Sequence, residues 1–186
     1  MNATLQIGRS LADSTLRALL AGSIAFGALT ACGDPVHDAS VAALGGEAPG
    51  VPKGEFHRPG QPCTLCHSDQ GGAPPFSIAG TVYIYADSLM PIEGVQVKVT
   101  DSTGRSFTTT SNCAGNFMVR PQEFTPEAPL WLNMQRDAVV RVMNTAIYRE
   151  GSCAACHGDP AGPSMVGHVY LIDDPTVEKA PVSQCH

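Results

Sequence analysis

The chain of 186 residues is short of basic side chains: 11 lysines and arginines stand against 17 acids, a formal charge of −6. They form no run or patch, which removes the electrostatic footprint that a nucleic-acid partner needs. Long apolar runs are missing too. The stretch from Ala18 to Leu29 falls below the ~20 residues of a resident spanning helix. No evident acid–base pair is arranged for catalysis, so no small-molecule substrate is indicated. A modestly acidic surface would steer a basic partner, and it also simply keeps a soluble chain dispersed.

Cysteine, by contrast, is plentiful and patterned: four of the seven lie in Cys63-Thr64-Leu65-Cys66-His67 and, ninety residues later, Cys153-Ala154-Ala155-Cys156-His157. In Cys-x-x-Cys-His the thiols sit about one helical turn apart, spaced to add to the two vinyl groups of one haem, and the imidazole that follows is placed under the iron. Similar residues follow each motif, Ser68-Asp69-Gln70-Gly71 and Gly158-Asp159-Pro160-Ala161. Here the chain resembles the c-type cytochromes, over the motifs and their flanks and not over a whole cytochrome fold. The resemblance implies two covalently bound haem c groups, attached through Cys63, Cys66, Cys153 and Cys156, with His67 and His157 as proximal iron ligands. Two other readings stand beside it. Zinc modules built on Cys pairs usually space the pairs by about 15–20 residues, and a redox Cys-x-x-Cys expects a βαβ setting that these flanks lack.

Residues 1–31 read as an export signal, with Arg9 and Arg17 ahead of the apolar run. Leu29-Thr30-Ala31-Cys32 resembles the lipobox of bacterial lipoproteins, which implies that Cys32 carries lipid and becomes the new first residue. Cleavage near Ala31 as an ordinary signal peptide is the alternative. Gly33 stands where many inner-membrane lipoproteins have aspartate, so the resemblance implies outer-membrane anchoring, facing the periplasm or the cell surface. Without residues 1–31 the chain keeps 155 residues and a formal charge of −7, enough for one domain with a modest core. Residues 32–54, rich in Gly, Ala and Pro, are expected to be a flexible, disordered tether.

A first haem-binding segment is expected over 55–75, a β-sandwich over 76–146, and a second haem-binding segment with the C-terminal tail over 147–186. Between the motifs the apolar pattern has period two, broken by turns. Phe76 to Tyr85 alternates Ile78, Gly80, Val82 and Ile84 against Ser77, Ala79, Thr81 and Tyr83. Five more short strands are predicted: 95–100, 106–110, 116–119, 130–134 and 138–143. The fold class is therefore mainly β, a small antiparallel sandwich flanked by two haem-binding loops or helical turns. The order from Ile78 through Pro91-Ile92-Glu93-Gly94 and Gly104 to Phe117 resembles a carboxypeptidase regulatory-like domain. That resemblance implies a transthyretin-like sandwich, a scaffold without catalytic residues of its own. If six strands alternate in direction, the two motifs lie at one pole.

Each iron would need a second axial ligand. Candidates are His37, His57, His168 and His186, with Met90, Met118, Met134, Met143 and Met165. His57, six residues before Cys63, and His168, eleven after His157, flank the motifs and are the preferred distal ligands. Met165 is the main rival at the second site. Two histidines per iron would give a lower potential than methionine with histidine. Subtracting Cys32 and the four motif thiols leaves Cys113 and Cys185, which an oxidising compartment would pair. The function expected is electron transfer by a membrane-anchored dihaem cytochrome with a redox partner protein. A small haem enzyme with one open iron, or a sandwich whose haems are structural or sensory, remain the alternatives.

Overall fold

In the computed structural model residues 34–47, 54–158, 166–173 and 185 are described; residues 1–31, expected to be an export signal, and Cys32, Met165 and His186 lie outside the described residues. By its contacts the chain divides into residues 1–42 and 43–186, and every strand and both cysteine motifs fall in the second unit.

Within the stretch expected to be a flexible tether, α1 is a helix over Pro35–Ala43. The sequence supplies its start: Asp34 Oδ1 accepts the N–H groups of Val36 and His37 at 3.0 and 3.1 Å. Pro35 then occupies the first helical position, where a missing N–H costs nothing, and alanines follow. The helix buries none of its residues.

The remaining elements are α2 (Cys63–Cys66), β1 (Ile78–Thr81), β2 (Gln96–Thr100), β3 (Ser106–Thr110), β4 (Asn116–Val119), β5 (Trp131–Arg136), β6 (Val139–Val142) and a 3-10 turn at Cys153–Ala155. The fold is mainly β. β1 pairs with β4, and a second sheet runs β3-β2-β5-β6, with every ladder antiparallel. Alternation along β2 turns Val97 and Val99 inward and leaves Gln96 and Lys98 exposed. One core joins the two sheets, with Ile78, Phe117 and Val119 from the first meeting Val97, Val99, Leu132 and Met134 from the second.

β1 departs from simple alternation because all four of its residues are buried. Ile78 belongs to the core, while the opposite face and the free edge of the strand are covered by the segments that carry the motifs. Ala79 donates its N–H to Gly151 O at 2.8 Å and pairs in parallel with Ser152. Two residues past the strand's end, Tyr83 pairs in parallel with Tyr170. The motif segments therefore meet, but by lying beside β1 and not by hanging from one pole of an up-and-down meander.

The turns follow their side chains. Asp101, almost wholly buried, accepts from the N–H of Thr103 and Arg105 at 3.0 Å each and from Thr103 Oγ1 at 2.7 Å. Burial pushes its carboxyl up. Hydrogen bonds from the Thr103 and Arg105 side chains and from the Glu127 and Thr103 backbone outweigh that and hold it down, to about 2. Asn112 shapes the turn into β4 by accepting from Ala114 and Asn116 N–H at 3.0 Å. Within that turn Cys113 is disulfide-bonded to Cys185, as the count of cysteines predicts.

Candidate functional site

The first motif forms α2, a single turn. Its closing hydrogen bond runs from His67 N–H to Cys63 O at 2.9 Å. The second motif closes in the same way, His157 N–H reaching Cys153 O at 2.8 Å. Each borders a cleft. The first, about 260 Å³, is bounded by Cys63, Cys66, His67, Phe76, Met118 and also His57. The second, about 330 Å³, is bounded by Cys153, Cys156, His157, Leu132, Met134 and also His168.

The sheet explains the arrangement. Ala79 and Met118 are opposite each other across β1 and β4, and Ala79 and Met118 both border the first cleft. Their neighbours Gly80 and Phe117 form the next pair. Successive side chains point to opposite faces, so the Phe117 ring turns toward the second cleft. Phe117 borders both clefts and forms part of the wall between them. A Cβ built on Gly80 would lie 2.8 Å from Cys153 Cβ and 2.9 Å from both Cys153 Sγ and Phe117 Cζ, so only glycine lets the second motif lie this close to β1.

Four imidazoles share one feature. The Nδ1 atoms of His67, His157 and His168 lie 2.7, 3.1 and 2.9 Å from the carbonyl oxygens of Pro74, Gly167 and Ser88, and His57 Nδ1 meets Gly54 O. A carbonyl can only accept, so each Nδ1 carries the hydrogen, and in the neutral ring Nε2 is then the nitrogen with the lone pair. This is the orientation and tautomer of a metal-bound histidine braced by its second shell. The His67 ring stacks on Phe76 at 4.1 Å, and its centroid lies 5.8 Å from that of His57. His168, 6% exposed, stacks on Tyr83 at 4.3 Å.

Of the other axial candidates, Met118 borders the first cleft, and Met134 and Met143 border the second. Met90 is exposed and borders neither, and His37 lies on α1.

Electrostatics separates the readings of the thiols. Burial pushes the Cys63 thiol up to about 11, with the nearby Cys66 adding to the rise. Burial pushes Cys153 up to about 12, and Cys63 is the next cause, so thiols of the two motifs lie close together. A nucleophilic redox cysteine needs the opposite shift. Among the described residues no three His, Cys, Asp or Glu side chains converge as a zinc site requires. Burial also lowers the pKa of His157, against the weaker pull of Gly167 O, which favours the neutral imidazole.

Several side chains that the sequence does not single out complete the clefts. Ser152 is buried at the second cleft, and its Oγ has no hydrogen-bond partner among the described residues. Arg120 borders the first cleft and Arg141 the second, where Arg141 pairs with Asp173 and lies over the Tyr170 ring. Only local pattern was available to find them, and a serine before a cysteine or an arginine on a strand carries no distinguishing pattern. Among the described residues no helix is long and apolar enough to cross a membrane.

Compared with known proteins, the chain matches no family model, no curated protein and no solved structure.

Proposed function

We propose that this chain is a dihaem c-type cytochrome, tethered to the outer membrane through lipid on Cys32, that carries electrons between redox partner proteins. One observation carries the reading. Each Cys-x-x-Cys-His borders its own cleft, and that cleft holds two histidines, each with Nδ1 on a backbone carbonyl and Nε2 left to bind. A bound haem supplies a one-electron iron couple.

The chain's residues do the rest. The Cys63, Cys66, Cys153 and Cys156 thiols would hold the two haems through thioether bonds. His67 and His157 would serve as proximal ligands, each held in orientation by its Nδ1 contact to the Pro74 or Gly167 carbonyl. His57 and His168, which border the same clefts, would supply a second histidine to each haem, and that would hold the potential below that of a histidine–methionine pair. Phe76, Met118, Phe117 and Leu132 exclude water. Arg120 and Arg141, which border the two clefts, would offer positive charge to the polar edge of a bound group.

The test is direct. The exported chain, produced with a haem-attachment system, is expected to keep haem stain on a denaturing gel and to gain the mass of two haems. The double variants C63S/C66S and C153S/C156S should each keep one. A chain that leaves the denaturing gel free of haem overturns the reading.

A further inference from the structure

Tyr83 touches both halves of this arrangement. Its backbone N–H donates to Val169 O at 2.8 Å and its carbonyl accepts from Leu171 N–H at 3.1 Å, so it sets the register of the segment that carries His168. Its ring, 5% exposed, stacks on the His168 imidazole. The far end of the same side chain lies where a Cβ on Gly60 would stand, and Gly60 has φ +77°, a conformation that costs other residues dearly.

Gly60 closes the loop that begins at His57. The loop is clamped by the last register pair of β1 and β4. Gly60 N–H donates to Thr81 Oγ1 at 2.7 Å, and Thr81 Oγ1 donates to Asn116 Oδ1 at 2.7 Å. Asn116 Nδ2 in turn donates to His57 O at 3.1 Å. The loop of one distal histidine, through Gly60, and the ring of the other are thus held by one stretch of chain, residues 81–83.

Resting on the haem reading above, we infer that Tyr83 is a positioning residue shared by the two sites. Its ring sets the plane of His168 and its hydroxyl end sets the His57 loop, so distal ligation at one haem responds to changes at the other.

Carbon monoxide binding to the reduced holoprotein tests this, read from the spectra and scored as the number of haems that react and how fast. The variants His57→Ala and His168→Ala come first; each is expected to open one haem and so identify its spectrum. If neither does, the distal assignment fails, and Tyr83 is not at issue. With those assignments in hand, Tyr83→Ala should raise the reaction rate at both haems, roughly 10–100-fold as for loss of a supporting ligand contact. Tyr83→Phe, which keeps the stack, should restore the His168 haem and leave only the His57 haem altered. Gly60→Ala, on the first loop, should disturb the His168 haem through Tyr83. Hydrogen exchange at the Gly60 amide gives a second readout and should quicken in Tyr83→Ala. A Tyr83→Ala protein that folds and changes only the His168 haem overturns the shared role, as does a Gly60→Ala protein whose His168 haem is unchanged.

Discussion

Thr64 donates its hydroxyl hydrogen to a Glu150 carboxylate oxygen at 2.8 Å, joining residues that lie 86 apart in sequence. The same oxygen accepts the N–H of Ser152 at 2.8 Å, so one carboxylate ties the first motif to the approach of the second. Removing it in Glu150→Ala is expected to cost about 1–2 kcal/mol, two modest and partly exposed hydrogen bonds. Thr64→Val should cost about half of that. The urea midpoint reads both, and an unchanged midpoint in Glu150→Ala would show the bridge to be incidental.

Gly80 leaves room for Cys153 where any side chain would strike it. Gly80→Val is expected to push residues 151–153 off β1 and to destabilise the fold by about 1–3 kcal/mol; on the haem reading proposed above, it should also leave the second motif without haem while the first stays loaded. Intact mass distinguishes one haem from two. Full loading at both motifs would mean that the close approach has no bearing on attachment.

The Asp101 carboxyl is held down to about 2, below its ordinary value of 3.8. Its contribution is therefore fully present above pH 4 and is lost as pH falls from there toward 2. Asp101→Asn should lower stability at neutral pH and flatten the acid limb of the melting curve over that window. Parallel acid limbs in the two proteins would assign the acid sensitivity elsewhere.

The disulfide between Cys113 and Cys185 closes a loop of 72 residues. The turn that bears Cys113 also steadies the approach to His57, since Asn112 Nδ2 donates to Glu55 O at 2.8 Å. Cys113→Ser with Cys185→Ser is expected to cost about 2–4 kcal/mol, measured by chemical unfolding. A double variant as stable as the parent would remove the bond from the list of supports.

Much of the scaffold is legible in the residues. β3 and β4 begin and end where alternation and the Asp101-Ser102-Thr103-Gly104 and Asn112-Cys113-Ala114-Gly115 turns predict. These signals are local, and a local signal needs no knowledge of the partner strand. β1 is different: its alternation is real, yet both of its faces are covered, because segments beginning twenty residues upstream and ending ninety downstream fold over it. The short helix α1 was hidden by its surroundings, Gly and Pro suggesting loose chain while Asp34 and Pro35 supply a start. At the clefts the cysteines and the adjacent histidines declare themselves, and His57 and His168 follow from their positions flanking the motifs. Tyr83, Asn116, Phe117 and Ser152 do not, since their roles exist only where distant segments meet.

β1 could present a free rim of backbone groups, the kind of surface on which other chains add as extra strands. Gly151 and Ser152 occupy one part of that rim, and Val169 and Leu171, bonded to Tyr83, occupy the next. The segments that carry the second motif and His168 thus also guard against self-association. A chain whose second motif has not docked leaves that strand edge unpaired, so failed docking at that motif should show itself as aggregation.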